Sequence, residues 1–302
     1  MRDFIEDNEG WLYAVAAYDN DERVGCVLRY IPAEAGERVN RSGHRFTKLD
    51  FEQAYTLIAE EKPQYMDMLH RVPVSDVRRV LKPEEEFPRI VADDERVREL
   101  QTLLDLPFGA AGCTGSLLLG LDTDSSDIDL VVYGKKWFEV QERLSRRMRE
   151  GRIRGLSEEM WRRVYEKRKP EINFESFIVH EQRKWNRGEI GGTYFDLLYT
   201  RPYETLCDAP TERGKVLGKM TIVARVIDAS LSFDSPAIYR VEHEKVNIIL
   251  SFTHTYSGQA RIGEVIEACG VCESHGDEIW LIVGTTREAR GEYIESLSLL
   301  EK

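Results

Sequence analysis

Long apolar runs are missing from this chain: no stretch of about 18 consecutive apolar side chains occurs in it, which removes a membrane-spanning helix from the expected elements. The opening residues, MRDFIEDNEGWLY, are acidic where a signal peptide would be basic and then apolar, so a cytoplasmic location with no membrane partner is expected. Cysteine is scarce as well. Cys26, Cys113, Cys207, Cys269 and Cys272 are odd in number and scattered, which excludes a disulfide framework and suits a reducing compartment. Basic charge is in deficit, with 42 Lys and Arg against 54 Asp and Glu and a formal net charge of −12. A surface of that sign repels polyanions, so indiscriminate nucleic-acid binding is disfavoured and any such contact needs a local basic patch.

What remains is ordinary globular material. The 302 residues are 42% hydrophobic and 32% charged, enough for two or three domains with real cores rather than a disordered chain. Near the start, Trp11–Tyr18 and Val24–Ile31 are apolar runs around the polar Asp19-Asn20-Asp21-Glu22, the pattern of a β-hairpin. Pro32 to Thr47 is rich in Gly, Arg and Asn and reads as a long loop ending in the basic Gly43-His44-Arg45-Phe46-Thr47-Lys48. Leu49 to Lys62 reads as a helix capped by Asp50. The proline-punctuated, acidic Lys82-Pro83-Glu84-Glu85-Glu86-Phe87-Pro88 reads as a domain boundary.

Helices are expected from Asp93–Asp94 onward, over Lys135–Arg149, from about Ser157 to Lys167, and from about Phe174 to Trp185; Thr193–Thr200 is expected as a strand carrying one acid, Asp196. Beyond Gly214, short apolar runs alternate with Gly, Ser, Asp and His turns, which suggests a small β-barrel with an OB-like form expected. The domains are therefore read as an N-terminal α+β module at 1–85, a core at 86–205 and a C-terminal barrel at 206–302.

The chemistry concentrates between Gly109 and Tyr133. Gly115-Ser116 opens an apolar helical turn, and a polar loop then leads to Ser126-Asp127-Ile128-Asp129-Leu130-Val131-Val132-Tyr133. The period of two along a strand puts Asp127 and Asp129 on one face and Ile128 and Leu130 on the other. Convergent carboxylates suit Mg²⁺, which prefers carboxylate and phosphate oxygens, and Asp196 would join them if its strand lay beside this one. Glycine at 115 allows close approach of backbone to phosphate, and Ser116 adds a hydroxyl. Asp122 and Asp124 are read as turn residues. Among cations, Lys184 and Arg187, with Arg183, end a helix close in sequence to the Asp196 strand and are candidates for holding a triphosphate. The competing reading is that cations favour helix C-termini in any protein. His44, Arg45 and Lys48 have a similar double reading, as acceptor contacts or as an exposed charged loop. Cys269, Cys272 and His275 invite a zinc reading, but a structural site needs four ligands and only Cys207, far away, is left to add, so free thiols in a turn are expected.

The pair Gly115-Ser116, ten intervening residues, then Asp127-Ile128-Asp129-Leu130, with a later strand acid at Asp196, resembles the signature of the polymerase-β-like nucleotidyltransferase superfamily. With the β-rich segment and its Arg29-Tyr30-Ile31-Pro32 element ahead of the core, the layout is also similar to archaeal predicted nucleotidyltransferases of unassigned substrate. The resemblance implies an α+β fold: a nucleotidyltransferase core of mixed sheet with helices, flanked by the N-terminal β-rich module and the C-terminal barrel. It further implies transfer of a nucleoside monophosphate from a nucleoside triphosphate, such as ATP, to a hydroxyl of RNA, protein or a small molecule, with Mg²⁺ or Mn²⁺ as cofactor. Asp127 and Asp129 would be metal ligands, Asp196 a ligand or base, and Gly115, Ser116, Lys184 and Arg187 nucleotide contacts. The alternative is a catalytically inactive nucleotide- or RNA-binding module. Acceptor, choice of triphosphate and oligomeric state are not legible.

Overall fold

The computed structural model describes residues 1–208, 213–285 and 289–301; the Cys207 side chain, weighed above as a distant ligand, lies outside the described part. The described residues form two compact units, 1–154 with 188–208, and 155–187 with 213–285 and 289–301. Among them no helix is long and apolar enough to cross a membrane. The fold is mixed α+β, with an N-terminal antiparallel sheet, a middle mixed sheet with helices and a C-terminal five-strand barrel.

The first unit begins with β1 (Phe4–Asp7), β2 (Leu12–Val15) and β3 (Arg23–Pro32), followed by β4 (Arg38–Val39) and β5 (Arg45–Lys48). The expected hairpin is β2–β3, antiparallel with a bulge at Leu12/Tyr13. The expected 32–47 loop instead carries the short hairpin β4–β5, which turns at Gly43, with φ +81°. A two-residue strand leaves no readable alternation, which is why composition alone gave a loop. Next comes α1 (Phe51–Glu61), closed at its start by a capping box in which Asp50 and Gln53 exchange side-chain and backbone bonds, then β6 (His70–Pro73) and β7 (Val77–Leu81). The sheet order is β4-β5-β3-β2-β1-β7, with β6 also paired to β3.

The proline-rich stretch expected as a boundary is a helix, α2 (Pro83–Asp93). Pro83 sits where its missing N–H costs nothing, Glu84, Glu85 and Glu86 favour the positive helix start, and only Pro88 breaks the internal ladder. Helix α3 (Glu95–Leu104) starts at the Asp94 cap, as the sequence implies. The middle sheet is built from β8 (Ala111–Cys113), the short α4 (Gly115–Leu119), β9 (Ile128–Tyr133) and α5 (Lys135–Arg149). Gly112 in β8 packs so tightly on α2 that a Cβ there would stand 2.2 Å from the Pro83 backbone. Helices α6 (Glu158–Arg168) and α7 (Phe174–Lys184) follow, and then β10 (Arg187–Ile190) and β11 (Thr193–Thr200) complete the middle sheet in the order β10-β11-β9-β8. The two sheets of this unit share a core: Leu118 and Leu121 pack with Phe4, Leu12, Tyr30 and Leu81 across the 85/86 position where the sequence suggested a division.

The second unit takes α6 and α7, which the sequence reading grouped with the middle segment, and adds β12 (Lys215–Asp228), β13 (Ala237–Glu242), β14 (Ile248–Ser251), β15 (Val265–His275), β16 (Glu278–Val283), β17 (Tyr293–Ser296) and α8 (Leu297–Leu300). The barrel runs β12-β13-β14-β16-β15 and closes from β15 back to β12; β14 and β16 are parallel. Ile222, Ala224 and Val226 alternate inward along β12 while Val223 and Arg225 face out. Trp161 and Phe177 on the two helices pack into the same apolar cluster as Tyr239, Ile249 and Leu281.

Candidate active site

Two carboxylates, Asp129 and Asp196, and a glycine turn meet at one end of the middle sheet, with Asp127 two residues before Asp129 on the loop that leads into it. Strands β9 and β11 run parallel, and in their register Asp196 stands directly opposite Asp129, between the pairs Phe195–Ile128 and Leu197–Leu130. Adjacent strands lie about 4.8 Å apart, so the two acids occupy neighbouring positions on the same face. Ile128, Leu130, Phe195 and Leu197, the residues on the opposite face, are all buried and anchor both strands. Exposure falls along the acid-bearing face: Asp127, just ahead of β9, is exposed, Asp129 is half-buried, and Val131 is in the core. Asp196 is buried at 8% exposure, and its Oδ2 accepts a 2.7 Å hydrogen bond from the Tyr194 hydroxyl.

The turn from β8 into α4 lies against this pair. Thr114 donates its backbone N–H to the Asp129 carbonyl at 2.9 Å, and Gly115 has φ +70°. A Cβ at Gly115 would stand 3.1 Å from Asp129 Oδ2, so glycine answers both the backbone conformation and the closeness of the carboxylate. Ser116 is half-buried in the next position, its carbonyl accepting from the Leu121 N–H.

The loop that delivers Asp127 is fastened from the N-terminal sheet. Arg38 on β4 points one guanidinium nitrogen at the Leu121 carbonyl (3.2 Å), the Thr123 hydroxyl and the Ser126 hydroxyl (3.3 Å each). Ser126 also accepts from the Thr123 N–H at 2.9 Å, closing the turn. Arg96 on α3 donates to the Asp124 carbonyl while paired with Asp94; that pairing lifts the Arg96 pKa and, with backbone bonds, outweighs burial to lower that of Asp94. Asp122 and Asp124 are thus the exposed turn residues the sequence implied. The charge of Asp129 is felt nearby. Burial raises the Tyr30 pKa, with Arg29 and Arg38 opposing and Asp129 adding to the rise. Full burial, again with Asp129 adding, pushes the Cys113 thiol up, which makes it inert as a nucleophile.

The cations read from the sequence are engaged by partners within the second unit. Lys184 and Arg187 belong to the second unit, are buried at 1% and 3% exposure, and both pair with Glu181; Lys184 also donates to the Thr255 carbonyl at 2.6 Å. Arg183 is held by Glu264 and the Gln259 carbonyl. The helix-terminal cations and Glu181 form a buried ion cluster. The thiols expected in a turn are mid-strand: Cys269 and Cys272 lie on β15 three residues apart, an odd spacing that sends them to opposite faces, and Cys272 is in the barrel core. His275 stacks on Trp280 at 3.6 Å and contacts Glu273.

Among the described residues, no three His, Cys, Asp or Glu side chains form a ready-made metal cluster. The donor chemistry still suits Mg²⁺. That ion keeps waters and takes one or two carboxylates together with substrate phosphates rather than an all-protein cage, and Asp129 with Asp196 is a register-fixed pair of hard oxygen donors. Two residues of the site were absent from the sequence reading. Tyr194 was within reach of it, because it precedes Asp196 by two on the same strand; Arg38 was not, because nothing local links β4 to a loop more than 80 residues on.

No protein-family model matches the chain, and no solved structure does. One curated sequence does, an uncharacterised protein, MJ1086, from Methanocaldococcus jannaschii, 34% identical over an alignment of 335 positions that covers 98% of each chain. The chain therefore belongs to the same protein family as that archaeal protein.

Proposed function

We propose that the protein is a nucleotidyltransferase of the polymerase-β-like superfamily, moving a nucleoside monophosphate from a nucleoside triphosphate to a hydroxyl acceptor with release of pyrophosphate. The observation that carries this reading is the register pairing of Asp196 with Asp129, beside the glycine turn at 115. A chance Asp-x-Asp on an edge strand gives no reason for a third acid in register or for a left-handed glycine against its carboxylate. The resemblance assigns Mg²⁺ or Mn²⁺ to Asp127, Asp129 and Asp196; when bound, the ion supplies positive charge to the transferring phosphate. The chain's own contributions are positional. Asp196 orients the attacking hydroxyl and takes its proton, Gly115 lets the nucleotide approach the backbone, Ser116 offers a hydroxyl to its phosphates, and Arg38 holds the loop that presents Asp127.

The barrel supports the OB-like part of the reading. Numbered within the barrel, its order is 1-2-3-5-4-1 with strands 3 and 5 parallel, the OB arrangement, and OB folds bind oligonucleotides and oligosaccharides. The four described cysteines are free and buried, in keeping with a reducing cytoplasm. Incubation with α-labelled ATP, CTP, GTP or UTP, Mg²⁺ or Mn²⁺, and pools of RNA, protein and small acceptors tests the proposal. Label transfer abolished by Asp129→Asn is expected. RNA binding that survives Asp127→Asn and Asp129→Asn without any turnover would replace the enzyme by a binding module.

A further inference from the structure

The third acid of the site already holds a hydroxyl. Tyr194 and Asp196 are two apart on β11 and share a face, and the phenol donates to Asp196 Oδ2 at 2.7 Å. Under the proposed reaction, Asp196 is the group that receives the acceptor's hydroxyl proton, so the Tyr194 oxygen stands where an acceptor oxygen would be bound. The ring is half-buried, Asp196 is buried, and Asp129 is the register neighbour of Asp196, so this hydroxyl lies among the residues assigned to the nucleotide. The neighbouring Gly191-Gly192 turn is open, with no heavy atom beyond the chain neighbours within 4 Å of either position where a Cβ would be built.

We infer that Tyr194 is itself an acceptor and that the protein nucleotidylates its own tyrosine. This rests on the nucleotidyltransferase reading above. The Tyr194 oxygen attacks the α-phosphorus of a nucleoside triphosphate, a phosphorus–oxygen bond to the phenol forms, the bond between the α-phosphorus and the bridging oxygen to the β-phosphate breaks, and pyrophosphate leaves. The phenolic proton passes to Asp196 and then to solvent. The product is a tyrosyl phosphodiester of a nucleoside monophosphate, and with Tyr194 esterified the Tyr194–Asp196 hydrogen bond is lost, so modification also alters the site for any external acceptor.

The test uses the full chain with each of the four nucleoside triphosphates and Mg²⁺ or Mn²⁺, without and with an added RNA pool, read by intact mass, peptide mapping and ³¹P resonance of the purified protein. The expected result is a single nucleoside monophosphate per chain, mapped to Tyr194, giving one phosphodiester signal and one pyrophosphate released per chain, and reversed by excess pyrophosphate. Tyr194→Phe and Asp196→Asn, each checked for an unchanged cooperative thermal transition, both lose the mass shift, the second despite keeping the tyrosine. Label on the RNA with Tyr194 unmodified, or mass gained at another residue, overturns self-modification and leaves the enzyme reading standing. No label on the protein with any triphosphate overturns self-modification, and if RNA and the pool of small acceptors also stay unlabelled the enzyme reading falls with it.

Discussion

Replacing Gly115 by alanine isolates the contact between the glycine turn and the carboxylate. At φ +70° an L-residue pays for the left-handed conformation, about 1–2 kcal/mol. For a unit of this size that loss lowers Tm by about 2–8 °C. The new Cβ also meets Asp129 Oδ2 at 3.1 Å, a contact that requires the carboxylate to give by a few tenths of an ångström. A misplacement of about 1 Å costs on the order of 100-fold in rate, so a displacement of this size corresponds to about tenfold in nucleotidyl transfer. Gly151→Ala is the control. Gly151 has φ +71° and nothing within 4 Å of its Cβ position, so it carries the same backbone penalty with no carboxylate beside it. Calorimetry and label transfer, run on both variants, should show equal losses of Tm but a rate defect confined to Gly115→Ala. Equal activity in the two variants would refute the argument that this turn is built around Asp129.

Asp196→Asn should lower transfer by at least about 100-fold, the scale of losing one preorganised electrostatic group, while the fold persists; activity within a few-fold of wild type would remove Asp196 from the site. Arg38→Ala removes three long contacts to the 121–126 loop and should cost no more than about 1 kcal/mol, yet increase proteolytic cutting between Leu121 and Asp127 and slow transfer. Lys62→Met strips the cation from Asp7, which Lys62 meets at 2.6 Å with both side chains buried, and should destabilise the protein by about 3–5 kcal/mol in denaturant titration. Acid sensitivity has a defined window. Burial depresses His70 and His180 from 6.5 to about 4, so the folded state holds both neutral and the stability they contribute is full above about pH 6.5 and lost as pH falls towards 4. His70→Asn, which retains an acceptor for the Leu28 N–H, should flatten that decline in a pH series of unfolding free energies.

The elements with strong local signals were readable. Asp50 before α1, Ser157 before α6 and the alternation around Asp129 each state their structure within a few residues, because capping and strand periodicity are local physics. The position of Asp196 in a strand was readable for the same reason, but its pairing with Asp129 was not, since register between strands more than 60 residues apart is set by packing of both faces. The proline-rich α2 misled because two prolines and three glutamates suggest a linker, whereas one proline opens the helix and the glutamates suit its first turn. The surroundings of Lys184 and Arg187 were not readable either. A run of cations at a helix end says nothing about Glu181, one turn earlier, which claims both in the buried interior.

The route of the chain through its two units also orders the making of the site. The first unit's residues stop at 154, resume at 188, and its strand β11 is reached only after the two helices of the second unit have been synthesised. During translation, when N-terminal parts fold first, the Asp129 strand therefore exists before its parallel neighbour, with an unpaired edge where β11 will lie. Asp127, Asp129 and the glycine turn are in place early, and Asp196 arrives as the closing piece. Ribosome-bound chains ending before residue 193 would hold three of the four strands of the carboxylates' sheet but not β11, and so none of the completed site; any chemistry at this centre begins only once the chain has passed through α6 and α7 and returned.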